Sequence, residues 1–345
     1  MASVNWNFTP TCIGSLPFID PAEAVDLVLS ETKGVPFWPQ LPQRGFNENM
    51  YAQFSYHLPG VRIDSRRKKV TVDLDNYDPE NFYMDILSDN LDSFQYREEY
   101  FAGFFEFMRR ELPPETVAVK GQVTGPVSAG LQIFDKEGKA ALYDDSYGEI
   151  IRKNLNMMAR WQEARLREKC PRTIMFIDEP YLSLMGTPFA SIKKQQAIDW
   201  INEVMEGLQG IRGIHCCGNT DWPTILATDI DILSLDSYEY GHTISLYPAE
   251  VKAFIERGGS IAWGGIPNSE EAFRYETNQS LLTQVTGHVE RLAAKGIDLE
   301  TLLERSMLTP QCGLGGLSER AMAGPILRSL TDLSSLLRNH YRLEE

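Results

Sequence analysis

The sequence predicts a (β/α)8 barrel, a TIM barrel with an inserted β-hairpin region near residues 58–76, as one domain over residues 1–345. Three observations predict it. Short apolar runs alternate eight times with amphipathic stretches, the rhythm of parallel βα units. The runs are mostly apolar on both faces, as strands of a buried parallel sheet are. Unusual polar residues close those runs, at the ends that converge on one face of a barrel. The competing arrangement is an open doubly wound sheet, but no Gly-rich dinucleotide fingerprint follows the first strand.

The first strand spans 8–15 and ends in Ile13-Gly14-Ser15-Leu16-Pro17. A helix starts near Asp20, with Pro21 at its first position, where the missing N–H costs nothing. A second strand spans 35–40. The irregular stretch after it holds two β-rich runs, 61–63 and 70–74, around the polar turn 64–69, which reads as a hairpin. A helix over 96–110 leads to a third strand at 117–122 and the turn Thr124-Gly125-Pro126. The helix over 147–169 carries an apolar stripe of Ile151, Leu155, Met158 and Trp161. The fourth strand, 173–178, ends in Asp178-Glu179-Pro180, and a helix over 192–208 follows. The fifth, 213–217, contains His215-Cys216-Cys217. The sixth, 232–236, ends in Asp236, and the seventh, 260–263, runs into Gly264-Gly265. The eighth, 307–310, leads into Gln311-Cys312-Gly313. Helices over 248–256, 281–295 and 325–340 complete the alternation.

Composition narrows the function classes. With 43% hydrophobic and 23% charged residues, the chain is ordinary globular protein. A net charge of −15 argues against nucleic-acid binding, which needs basic patches. No run of about 18 apolar residues exists, so no membrane-spanning helix is expected. Residues 1–10 have neither a basic region nor an apolar signal core, so a cytoplasmic location is expected. Five cysteines at irregular spacing form no disulfide framework. In a reducing compartment they serve as core thiols, metal ligands or catalytic groups.

A strand alternates its faces with period two, so His215 and Cys217 point one way and Cys216 the other. A histidine and a thiol side by side make half of a zinc site. Cys312, at another strand end inside a Gly-rich turn, is a candidate third ligand. Asp236 is a candidate fourth, with Glu239 as the fallback. Asp178 and Glu179 point to opposite faces, and Asp178 is the one expected in the barrel mouth, where a carboxylate suits a substrate ammonium group. Ser15 fits a turn role or a substrate contact equally. Trp38, Trp222 and Trp263 lie near strand ends, and each fits core packing better than a pocket wall. Burial is the expectation for Cys12, Cys170 and Cys216.

In order, Ile13-Gly14-Ser15, Thr124-Gly125-Pro126-Val127, Ile177-Asp178-Glu179-Pro180, His215-x-Cys217 and Pro310-x-Cys312-Gly313-Leu314 resemble the C-terminal catalytic barrel of cobalamin-independent methionine synthase. The resemblance implies a Zn2+-dependent methyltransferase that activates homocysteine as a zinc-bound thiolate and methylates it to methionine. His215, Cys217 and Cys312 would hold the metal, with Asp236 at the place of an acidic fourth ligand. Ile13, Ser15 and Asp178 would hold the amino-acid portion of homocysteine, with catalytic weight on Asp178. Glu48 is a candidate for the family's amine-binding glutamate. The family's full enzyme is about twice as long, with an N-terminal barrel that helps bind folate. The expected methyl donor is therefore a methyl-corrinoid protein or a methylated folate, with the corrinoid protein favoured. The stretch from His215 to Thr220 also looks like the corrinoid:thiol methyltransferases of the uroporphyrinogen decarboxylase superfamily. That keeps a coenzyme M-like thiol open as acceptor, and a purely structural zinc site as a non-enzymatic alternative.

Overall fold

The computed structural model describes residues 4–187 and 189–343, so both ends of the expected 1–345 domain lie outside the described residues. Among the described residues ten strands run in chain order: β1 (Thr9–Pro10), β2 (Val61–Asp64), β3 (Lys69–Val72), β4 (Val119–Thr124), β5 (Ile133–Phe134), β6 (Thr173–Asp178), β7 (Ile211–Cys216), β8 (Ile232–Leu235), β9 (Ser260–Ile266) and β10 (Ser306–Pro310). Seven form one curled sheet in the order β1-β10-β9-β8-β7-β6-β4. Every pairing in it is parallel. Helices fill the crossovers between its strands, as parallel pairing demands.

The expected second strand differs in form. Residues 34–40 lie between the sheet's two edges, β1 and β4, and touch both without building a ladder. Phe37 bridges Lys120 on one side, and Gln40 bridges Ser15 on the other. The Lys120 amide donates to the Pro36 carbonyl (2.9 Å) and the Gln40 amide to the Gly14 carbonyl (3.0 Å). Pro36 and Pro39 explain the broken pairing, because each removes a donor that a full strand would use. The first expected strand, 8–15, likewise shrinks to β1 and a single bridge at Ser15.

The hairpin is present: β2 and β3 pair antiparallel, Val61 opposite Val72. Unforeseen is its third member. The Gly125-Pro126 turn opens a helix, Pro126–Gln132, which delivers β5 alongside β3. The helix expected over 96–110 is α-helical only at Ala102–Arg109. The Tyr96 and Phe101 rings stack at 3.7 Å. On a helix, residues five apart point about 140° away from each other, so that stack and a continuous helix exclude one another.

The interior of the curled sheet is layered. A small apolar cluster, including Trp6, Val35, Ile174, Phe176 and Met307, fills its lower part. Lys120 comes next, fully buried, with its ammonium 4.5 Å from the centre of the Phe176 ring. Above it the strand ends turn polar. Thr124 is in register with Asp178, Asp178 with His215, and His215 with Ser234, so one row of side chains crosses four strands on one face. The larger core cluster packs the helices against the sheet. Trp38, Trp222 and Trp263 are fully buried, each indole N–H bonded to an internal oxygen (Gln162, Thr243 and Ser306). Among the described residues no helix is long and apolar enough to cross a membrane.

Candidate active site

At the C-terminal mouth of the sheet, His215, Cys217 and Cys312 come together, with their potential ligand atoms all within 4.8 Å of one another. β7 aims His215 inward, and its Nδ1 is held 3.0 Å from the Ser234 hydroxyl. That bond fixes the ring and leaves Nε2 buried with no partner. Cys217 lies one residue past β7, on the same side as His215 by the period of two. Cys312 follows β10. Cys216, between the two site residues, faces the core, fully buried, with its thiol 3.6 Å from the Gly218 carbonyl.

The electrostatics of this trio fit a cation. The side chain of Cys312 pulls Cys217 down to about 4, against its burial, and His215 adds to the effect. Cys312 moves the opposite way, pushed up by the neighbouring Cys217 sulfur and by burial. Two sulfurs and an orphaned imidazole nitrogen at this spacing are a zinc-type donor set.

A cavity of about 350 Å³ opens beside the cluster, and Ile13, Ser15, Glu48 and Asp178 line it together with the three donors. Asp178 is buried, and its Oδ1 has no hydrogen-bond partner. Burial raises its carboxyl to about 6, against the attraction of Lys120 and His215. Glu48 is 3% exposed; its Oε1 accepts from Arg44 Nε at 2.6 Å, while Oε2 is buried and unpartnered. Burial pushes Glu48 up to about 7, opposed by the Arg44 guanidinium. Two carboxylate oxygens are thus held unpaired on one wall system.

The motifs seen separately in the sequence interlock here. A Cβ on Gly313 would stand 2.2 Å from Ser15 Oγ, and one on Gly14 would stand 2.8 Å from Gln122 Cδ. The Ser15 hydroxyl accepts from the Gly315 amide (3.2 Å) and the Ser15 carbonyl from the Leu314 amide (2.8 Å). Ser15 thus fixes the turn that follows Cys312. The Ile13 carbonyl accepts from Lys120 Nζ at 2.6 Å.

Asp236 is not among the clustered donors. It caps the helix Ser237–Ile244, with Oδ1 taking the Glu239 amide at 2.9 Å and Oδ2 the Gln311 side chain at 3.1 Å. Glu239 is exposed on that helix. Helix capping is a regular duty for an aspartate at a strand-to-helix turn, and it engages Oδ1 here while Gln311 holds Oδ2.

The roles of two residues around the site are not carried by the sequence reading. Lys120 sits under Asp178, and burial lowers its ammonium to about 8. A lysine inside a strand otherwise apolar on both faces was the available signal. Glu179 is the second. It points away from the mouth, and its carboxylate accepts from the Val127 amide (2.8 Å), the Ser128 amide (2.9 Å) and the Ser128 hydroxyl (2.6 Å). It therefore satisfies the free amides at the N-terminus of the helix Pro126–Gln132, although burial raises its carboxyl to about 7. Gly125 is required there, since a Cβ would come within 2.2 Å of Glu179 Cδ.

Fold and site together define an α/β chain with a curled parallel sheet and a His/Cys/Cys donor cluster at the strand C-termini. Among solved structures, a B12-independent methionine synthase from Shewanella sp. W3-18-1, in complex with selenomethionine, matches over 99% of this chain and 100% of its own, with a TM-score of 0.60 and 17% identity. A likeness at that identity establishes the shared fold. No sequence-family model matches the chain, and no curated protein matches it in sequence.

Proposed function

We propose that this chain is a Zn2+-dependent thiol S-methyltransferase whose acceptor is homocysteine and whose product is methionine. The observation that carries the reading is a juxtaposition. One cavity holds the His215, Cys217 and Cys312 donors at one place and the unpartnered oxygens of Asp178 and Glu48 at another. An amino-acid thiol has a sulfur at one end and an ammonium group at the other, and it would satisfy both.

His215, Cys217 and Cys312 would hold the metal, which supplies a lowered thiol pKa, so that the substrate sulfur is deprotonated at neutral pH. The chain's own residues do the rest. Asp178 and Glu48 take the ammonium, replacing the water that their burial has stripped away. Ile13 and Ser15 form the wall along the amino-acid portion, held in place by Lys120 and by the turn after Cys312. In the reaction the acceptor sulfur forms a bond to the methyl carbon, the donor–methyl bond breaks, and its electron pair leaves with the donor. The thiol proton goes to solvent.

The polar cavity beside the cluster favours this reading over a closed structural site. The two carboxylates favour an amino-acid thiol over a coenzyme M-like one, whose sulfonate they would repel. The methyl donor in this proposal is a methyl-corrinoid protein or a methylated folate. All five cysteines are free thiols, which supports a cytoplasmic setting. The test is to supply the zinc-loaded protein with homocysteine and, separately, methylcobalamin and methyltetrahydrofolate. Methionine formed with either supports the reading. No product with either donor, together with no binding of homocysteine, overturns it.

A further inference from the structure

A second cavity lies at the opposite mouth from the thiols. It measures about 880 Å³ and is lined by the first residues of β6, β7, β8 and β9. Five arginines line it, Arg167, Arg172, Arg212, Arg257 and Arg305, against a single carboxylate, Asp231. In a chain of net charge −15 such a concentration of positive charge is not a product of composition.

The five guanidiniums differ in what already occupies them. Arg257 donates to the carbonyls of Leu226, Thr228 and Ile230, and Arg172 to that of Val117. These two have a structural duty that accounts for them. Arg212 lies 3.5 Å from Asp231. Among the described residues no hydrogen bond or ion pair holds the Arg167 or Arg305 side chain, and Arg305 Nε is buried without a partner. A buried charged donor left unsatisfied costs more than an exposed one, and a ligand oxygen would relieve it. Glu163 is held behind the lining, its oxygens accepting from Thr173, Gln209 and Gly210.

From these observations we infer that the N-terminal mouth of the barrel binds a small multivalent anion carrying clustered phosphate groups, held by Arg167, Arg212 and Arg305. Four charges in the lining stand unbalanced. That matches a di- or triphosphate group better than a single carboxylate, and planar guanidinium forks suit phosphate oxygens. The volume falls in the usual range for small-ligand sites, roughly 300–1,000 Å³. Along β6 the two mouths are separated by five residue steps of about 3.3 Å each, so this site does not touch the thiol site and does not rest on the methyl-transfer reading.

Isothermal titration of the full chain with inorganic tripolyphosphate tests the inference. Binding by the wild type should weaken by about tenfold or more in Arg167→Gln/Arg305→Gln. Cys312→Ala, altered at the other mouth, should keep the wild-type affinity. Far-UV circular dichroism checks the fold of the double variant. Arg167→Gln alone, at an exposed position, gives a second reading and should weaken binding severalfold. No heat of binding at about millimolar tripolyphosphate would overturn the site. So would wild-type affinity in both Arg variants. Citrate binding as tightly as tripolyphosphate would overturn the assignment to phosphate.

Discussion

Glu48→Gln should make the protein more stable at pH 8 while weakening its grip on an amine. Glu48 is buried, with one oxygen on Arg44 and the other on nothing. Its carboxyl stands at about 7, against 4.5 for the ordinary side chain. An acid whose folded pKa is raised costs stability as pH rises. The unfolded chain releases the proton from about 4.5 upward, whereas the folded chain keeps it until about 7. Over that window wild-type stability falls, and above it the full penalty persists. At 1.36 kcal/mol per pK unit, the penalty grows by roughly 2–3 kcal/mol between pH 5 and pH 8. Arg44 already opposes it, and its side chain is 35% exposed, so solvent screening trims that figure. Glutamine has no such titration. Urea denaturation of both proteins at pH 5 and pH 8 isolates the effect, because every other titrating group cancels in the difference. The variant should gain on the wild type by about 2 kcal/mol between the two pH values. A pH-independent difference, or a variant that loses ground at pH 8, would refute the argument that the carboxylate is held against its own solvation.

The remaining expectations concern the donor cluster and its scaffold. Purified protein should hold about one zinc per chain, and Cys312→Ala should lose most of it; wild-type zinc content in that variant removes Cys312 from the site. Asp236→Ala should cost about 1 kcal/mol through the lost helix cap, with zinc content unchanged. Loss of metal would instead make Asp236 the fourth ligand. Gly125→Ala should destabilise by about 3 kcal/mol or more, since its methyl group displaces Glu179 from three buried hydrogen bonds. An unchanged melting temperature would show that the backbone there yields freely.

How far the sequence could be read follows from where each signal resides. β6 was legible to the residue, because four apolar positions, Ile174 to Ile177, stand between Thr173 and the closing Asp178-Glu179-Pro180. The meeting of His215, Cys217 and Cys312 was legible too, since period two and strand-end convergence are general rules. The loss of pairing in 34–40 was also written in the sequence, as Pro36 and Pro39, and was passed over. Asp236 shows the opposite difficulty. A carboxylate at a strand-to-helix turn reads the same in the sequence whether it binds metal or caps a helix, and its bonds to the Glu239 amide and the Gln311 side chain appear only in the structure. The helix Pro126–Gln132, the partnership of β5 with β3 and the link between Glu179 and Gly125 depend on contacts across more than fifty residues. No local pattern carries those.

The lock between Ser15 and the turn after Cys312 bears on how the molecule comes into being. The Ser15 hydroxyl and the Gly315 amide are 300 residues apart in the chain. Synthesis is vectorial, so β6 and β7 can form on the ribosome while Cys312 is still unmade. His215 and Cys217 are then a two-donor fragment facing an open flank. The third donor arrives with the last βα unit, and the turn that carries it is shaped only when it closes on the first. Under the proposed zinc role, tight metal retention requires the last βα unit to have closed on the first, so zinc uptake would serve as a natural reporter of the final step of folding.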